Sequence, residues 1–299
     1  MIVIRLRGGL GNQLFEYAAG KSLAHHHGVP LKVDPYYYRL QPNRSIMLDR
    51  FYTEYQMATA QDIARFVGRT RVEKFLHKKT HYRYCRQAFA QPYYHFYPDF
   101  YQLPAHIYLS GYWQSERYFQ PYIEMIREQL LPRETPTDAN QQLIEEMKTS
   151  QSVSLHVRHG DYVAKPSADH FFAPLEEDYY RRAIAFINKR VDSPRFYVFS
   201  DNIDWCRRTF ADLTSAVFVD HNRHEQSYWD LWLIAQCRHH IMANSSFSWW
   251  GAWLNTNPNK LVVAPKRWFA SDYYRGKHPV YPERAYNLKD QLPDGWFRL

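Results

Sequence analysis

Long apolar runs, paired cysteines and the familiar metal and nucleotide signatures are all missing from this chain of 299 residues. No apolar stretch approaches the ~18 residues that a membrane-spanning helix needs, and the opening Met1 to Arg7 is too short for the apolar core of a signal peptide. A cytoplasmic address is the expectation. The three cysteines, Cys85, Cys206 and Cys237, are odd in number and far apart, which excludes a disulfide framework and a C-x-x-C centre and predicts reduced thiols. There is no D-x-D and no H-E-x-x-H, and the clusters His25 to His27 and His239 to His240 lack helical i, i+4 spacing, so no catalytic metal is expected. The absence of G-x-x-x-x-G-K-[ST] and of G-x-S-x-G removes the main support for a P-loop and for a nucleophile elbow.

What is present describes a globular protein. Hydrophobic residues make up 45% and charged ones 23%, so disorder, collagen and coiled-coil classes fit poorly. Aromatics reach 17%, and rings with polar edges suit flat polar ligands such as sugars and bases as well as a Tyr-rich surface. The net charge of +8, with a pI near 9.2, favours an anionic partner: nucleic acid, an acidic membrane surface or a phosphorylated substrate. No basic run or nucleic-acid recognition module accompanies it, so nucleic acid is the least favoured of these.

Ile2 to Leu6 reads as a strand, Gly8, Gly9 and Gly11 as a glycine loop, and the spacing from Leu14 to Leu23 as a helix; a strand at Leu31 to Val33 completes a βαβ unit. Such a loop lets backbone N–H groups approach an anion at the helix N-terminus, where Asn12 could cap, and a tight structural turn explains the same glycines. Position 14 is Leu, so the loop is not G-x-G-x-x-G. From Tyr36 to Tyr101, tyrosines, basic residues and prolines predict one or two helices between long loops, a surface suited to an acceptor. A break at Arg133 to Asp138 and a helix around Gln141 to Met147 put a domain boundary near residue 150. Beyond it, strands at Val153 to Val157, Phe196 to Ser200, Ala216 to Val219, His240 to Ala243 and Leu261 to Ala264 alternate with helices. That alternation predicts an open parallel sheet, in which ligands bind beyond the carboxyl ends of the strands.

Three places after those strands could carry chemistry. Strand alternation puts His156 and Arg158 on one face, a base reader beside a permanent cation whose planar fork suits pyrophosphate; a structural pair with Asp161 is a fair competitor from spacing alone. Asp230 stands alone in an apolar helix start and needs a donor, which a guanine edge, a helix dipole or a protein arginine would supply. Asn244, Ser245, Ser246 and Phe247 precede an aromatic helix, so hydroxyls and backbone N–H groups gather at another N-terminus, for a phosphate or simply as a serine cap.

Taken in order, Gly8 to Ala18, His156 to Tyr162, Phe199 to Asn202 and Asn244 to Gly251 resemble the α-1,2-fucosyltransferase family, over almost the whole chain. The resemblance implies an α/β, GT-B-like architecture of two Rossmann-like domains with a donor/acceptor cleft between them: an acceptor-side domain over residues 1–150 and a GDP-fucose-binding domain over 151–299, whose last residues pack back on the first. It implies transfer of L-fucose from GDP-β-L-fucose, with inversion and without metal or cofactor, to the 2-hydroxyl of a terminal galactose in an oligosaccharide or glycolipid. His156 and Asp230 would contact guanine, Arg158 the pyrophosphate, Asn244, Ser245, Ser246 and Phe247 the donor phosphates, and Gly9, Gly11 and Asn12 would approach from the other domain. Asp161 follows the donor motif and is the candidate general base. One departure is visible: His159 stands where the family shows a second arginine. A fucosyltransferase of another linkage and a non-catalytic glycan-binding protein are the rival readings, and peripheral association with the inner face of the plasma membrane stays open.

Overall fold

The computed structural model describes residues 1–41, 43–68, 87–159, 175–269 and 288–299. The chain divides into two compact units, Met1–Arg133 with His278–Pro293 and Glu134–Lys277 with Asp294–Leu299.

In the first unit, β1 (Ile2–Arg5) leads through the glycine loop into α1 (Leu10–His26) and then β2 (Leu31–Asp34). Gly20 on α1 lets the helix lie close to the sheet, because a Cβ there would sit 3.0 Å from Leu31 Cδ1 and 3.1 Å from Ile4. The unit continues through β3 (Gln56–Met57), α2 (Ala60–Val67), β4 (Ala88–Ala90), β5 (Ile107–Ser110) and α3 (Ile123–Gln129). Thr59 and Asp62 close a capping box at the start of α2, and Lys32 pairs with the same Asp62 at 2.9 Å, holding its carboxyl down at about 2. The described strands form a parallel sheet in the order β3-β2-β1-β5-β4. Order therefore reverses between β1 and β5.

The tyrosine-rich stretch holds the expected helix, as α2, and a helical turn at Tyr36–Arg39. It also holds β3 and β4, which are two and three residues long and too short to show any period.

The second unit begins with α4 (Asp138–Thr149), capped by Thr137, and continues as β6 (Ser152–Val157), α5 (Glu177–Asn188), β7 (Arg195–Ser200), α6 (Ile203–Thr209) and β8 (Val217–Val219). Then come α7 (Ser227–Gln236), β9 (His239–Ile241), α8 (Ser246–Leu254), β10 (Val262–Ala264) and β11 (Phe297–Arg298). The sheet order is β11-β10-β9-β6-β7-β8, every strand pair parallel. β6 is buried along its whole length, as expected of a central parallel strand covered by helices on both faces. On one face Val153, Leu155 and Val157 pack with Tyr180, Ile184 and Phe210; on the other Tyr197 and Phe199 pack with Leu233 and Ile234.

Ile144 and Met147 of α4 join that second cluster, so the helix belongs to the second unit and the division falls ahead of residue 150. The C-terminal segment splits. Residues 288–293 go with the first unit, and β11 closes the edge of the second sheet. Cys206 and Cys237 are buried free thiols, pushed up in pKa by burial, Cys206 to about 11; Cys85 lies outside the described residues.

Candidate functional site

In an open parallel sheet the ligand crevice lies beyond the carboxyl ends of the strands at the point where strand order reverses. In the second unit that point is between β6 and β9, and the sequence-derived candidates follow these two strands.

His156 is the penultimate residue of β6 and is buried. Its ring centroid lies 5.6 Å from that of Phe247, and its Nδ1 has no hydrogen-bond partner among the described residues. Burial, reinforced by the Arg158 charge and opposed by Asp201, lowers its pKa to about 4. The imidazole is therefore neutral at neutral pH and carries one donor and one acceptor.

Arg158 stands just past the end of β6 rather than on it. Its Nε lies 3.3 Å from Asp201 Oδ2, at the end of β7, and its backbone N–H donates to the Tyr180 hydroxyl at 3.4 Å. Asp201 Oδ1 also accepts from the His159 backbone at 3.0 Å, and the His159 ring stacks on Trp205 at 4.2 Å. The position of the family's second arginine is thus filled by a ring on a ring. Asp161 lies outside the described residues. Asp201 sits inside a motif visible in the sequence, but its role needed the β6–β7 register, which pairs His156 with Phe199 and Val157 with Ser200.

After β9, Asn244 is fully buried and its side-chain amide donates to the Trp268 carbonyl at 2.9 Å. Ser245 is the N-cap of α8, its hydroxyl accepting from the Phe247 backbone at 3.3 Å. The helix begins at Ser246, so Ser246 and Phe247, expected from the sequence to precede it, form its first turn. The serine does cap, and the cap itself places the helix N-terminus beside His156. Trp249, Trp250 and Trp253 behind it are buried.

Asp230 lies in the first turn of α7, half-buried, and accepts from Asn222 Nδ2 at 2.9 Å. Burial, with a smaller push from the Asp220 charge, raises its carboxyl to about 7. The donor is a side-chain amide, not the arginine offered as one alternative. α7 reaches α8 closely at Gly251, where a Cβ would stand 2.3 Å from Ile234 Cγ2.

In the first unit the glycine loop follows β1, at that sheet's own reversal. Gly8 has a φ of +78°, and a Cβ there would strike the Asn12 side chain, so this position needs glycine twice over. Gly9 is the N-cap of α1, and Gly11 and Asn12 lie inside the helix; Asn12 is not the cap. Its Oδ1 instead accepts from Gln114 Nε2 at 2.9 Å, and Gln114 Oε1 accepts from Gln291 at 3.1 Å. Beneath the loop, buried Glu16 accepts from the Arg7 backbone at 2.8 Å, and burial pushes its carboxyl well up. None of these partners was anticipated.

Among the described residues no group of three or more His, Cys, Asp or Glu could hold a metal ion, and no helix is long and apolar enough to cross a membrane. A cavity of about 610 Å³ near Lys21, Pro30 and Gln56 and one of about 590 Å³ near Gln151, Arg195 and Val217 lie at the opposite, amino ends of strands.

A strand-end imidazole, an arginine and a capped helix N-terminus suit a nucleotide diphosphate, and Glycosyl transferase family 11 matches residues 1–286. The chain belongs to that family. An α-1,2-colitosyltransferase of Escherichia coli is 30% identical to this family 11 glycosyltransferase over 308 residues, covering 100% of this chain and 99% of the relative. The O-antigen biosynthesis glycosyltransferase WbnK of Escherichia coli is 32% identical, covering 89% and 94%. A galactoside α-(1,2)-fucosyltransferase 1 of Saimiri sciureus is 29% identical over 154 residues, 49% of this chain and 42% of that protein. Among solved structures, the α-1,6-fucosyltransferase NodZ co-crystallized with GDP has a TM-score of 0.52 at 16% identity, covering 84% of this chain and 91% of that one. The shared fold is GT-B, two parallel-sheet α/β units.

Proposed function

We propose that this glycosyltransferase moves L-fucose from GDP-β-L-fucose to the 2-hydroxyl of a terminal galactose in an oligosaccharide or glycolipid, with inversion, without metal, in the cytoplasm. The observation that carries the donor reading is the grouping, at the reversal point of the second sheet, of neutral His156, Arg158 and the α8 N-terminus. His156 and Asp230 take the guanine, Arg158 and residues 244–247 the diphosphate, and the backbone at Gly9, Gly11 and Asn12 meets the donor.

The displacement forms a bond from the acceptor oxygen to the anomeric carbon as the bond from that carbon to the β-phosphate oxygen breaks. Charge grows on departing GDP, where a preorganised cation and helix N–H groups act most strongly, each typically contributing several kcal/mol. Asp201 holds the Arg158 fork in place beforehand. Asp161 takes the acceptor proton; near-normal turnover of Asp161→Asn with GDP affinity intact would remove it as base.

A second donor reading has its own support: a relative matched over almost its whole length is a colitosyltransferase. Offering GDP-fucose and GDP-colitose with β-galactosides, with and without EDTA, and determining product mass and linkage tests all of this. A fucose on galactose position 2, indifferent to EDTA, is the expected product. Preference for GDP-colitose would keep the site and change the sugar, and another linkage would overturn the acceptor assignment.

A further inference from the structure

The loop between β8 and α7 and the first turn of α4 build a polar knot behind Asp230 that base contact alone does not explain. Asp230 Oδ1 accepts from Asn222 Nδ2 at 2.9 Å, whereas Oδ2 has no hydrogen bond among the described residues. Asn222 is itself clamped by fully buried Asn140: Asn140 Nδ2 donates to Asn222 Oδ1 at 3.0 Å, and Asn222 Nδ2 donates back to Asn140 Oδ1 at 2.9 Å. The Asp230 carboxylate requires Asn222 to face it with its NH2, that NH2 requires the Asn140 oxygen opposite it, and His221 Nε2, 2.8 Å from the same oxygen, then carries the hydrogen. The chain of bonds runs from the first turn of one helix, through the loop, to a carboxylate in the first turn of another.

The second oxygen is not sealed away: Oδ2 keeps solvent access, so it can wait for a ligand without the desolvation cost of a buried unmet acceptor. Here one oxygen is tied and oriented by a clamped amide and the other is left. We propose that Asn222, locked by Asn140, is a positioning residue that holds Asp230 with Oδ2 presented to the paired N–H donors of a guanine edge, and so sets the purine preference of the donor site. This rests on the GDP-donor reading above. The surroundings fit the role. Asp220, on the same loop, is the charge that acts on Asp230; α4 presents neutral Asn140 with His221 against it, and α8 has no titratable side chain. Among the described residues the Asn222 amide is the donor to this carboxylate, which leaves Oδ2 for a ligand.

The experiment uses the full chain and compares binding of GDP with inosine diphosphate, which keeps the diphosphate and N1–H but lacks the 2-amino group, by calorimetry between pH 5.5 and 8.5. Wild type is expected to favour GDP by roughly tenfold at pH 8, since losing one hydrogen bond to a charged acceptor has about that effect. The preference shrinks as the solution is acidified and Asp230 takes a proton. In Asn222→Leu the ratio falls toward one and its pH midpoint moves upward, because the bond that favours the ionised carboxyl is gone; Asn140→Leu moves both in the same direction by less. A folded Asn222→Leu with an unchanged ratio and midpoint overturns the proposal while leaving the donor reading intact. Should that variant not fold, the wild-type ratio decides, and a ratio near one or flat across pH overturns it equally. Wild type binding neither diphosphate would remove the donor reading and this inference together.

Discussion

In each unit a strand at the reversal of strand order, β1 in the first and β9 in the second, leads through a short loop into a helix, yet the polar groups around the two loops are committed differently. In the first unit Asn12, Gln114 and Gln291 bond to one another, Glu16 is capped by the Arg7 backbone, and the Tyr38 hydroxyl donates to the Gly8 carbonyl at 3.1 Å. In the second, His156 Nδ1 and Asp230 Oδ2 lack partners among the described residues, the His156 ring lies against Phe247 in the first turn of a capped helix, and Arg158 follows on the same strand end, paired with Asp201. One geometry therefore serves two purposes. Around the first loop the side chains turn to one another, with Arg7 Nε and Glu16 Oε1 buried 3.6 Å apart and without a hydrogen bond among the described residues, so the loop offers a ligand its backbone; in the second unit an imidazole nitrogen and a carboxylate oxygen stay available.

The contrast is sharpest at Arg158. Arg158→Ala is expected to lower turnover about 10²- to 10³-fold, the usual effect of deleting one preorganised charge-stabilising donor, with little change in melting temperature. Steady-state kinetics beside a thermal melt would check this, and a variant with near-normal turnover would mean the second unit holds no charge-stabilising cation at this position.

Next comes pH. The unfolded chain protonates His156 near 6.5 and the folded one near 4, so between those values the unfolded state binds more protons and stability falls as pH falls, by up to about 3 kcal/mol. Glu16 works in the opposite sense: its raised pKa makes the folded state bind more protons, so its contribution declines as pH rises above the ordinary carboxyl range. Denaturant melts of wild type and His156→Phe at pH 7.5 and 4.5 should show the acid loss diminished in the variant.

Glycine packing gives a smaller separation. Gly251→Ala would bring a methyl within 2.3 Å of Ile234 Cγ2 and should cost about 1–3 kcal/mol, whereas Gly20→Ala meets neighbours at 3.0–3.1 Å that need yield only a few tenths of an ångström. A lower melting temperature for the Gly20 variant than for the Gly251 variant would reverse the order. Smallest in stability is Gly9→Ala. Its φ is −85° and the nearest atom to the added Cβ is Arg44 Nη1 at 3.4 Å, so the fold should lose at most about 1 kcal/mol. If the Gly9 backbone meets the donor, turnover drops all the same; unchanged kinetics would reduce the loop to a turn.

Much of the second unit was legible because its strands alternate regularly with helices and are bounded by strong turn and cap residues, so Val153, Leu155 and Val157 read as one strand face and Ser245 precedes its helix visibly. The stretch from Tyr36 to Tyr101 was not, since Gln56–Met57 and Ala88–Ala90 are strands only by virtue of neighbours in the sheet. The first helix start was misassigned at Asn12 for a related reason. Its amide finds Gln114, more than a hundred positions away, instead of the local backbone.

The amino-acid sequence by itself determined the alternation of strands and helices, the glycine loop, and which residue types stand at the strand ends, because these depend on spacing and on neighbours within a few positions. Tertiary structure alone decided who faces whom: Arg158 with Asp201, Asp230 with Asn222 and Asn140, and Gln114 with Gln291 across 177 positions. Partners that distant are brought within 3.5 Å only by sheet register and helix packing, which are properties of the whole folded chain and of no local stretch of it.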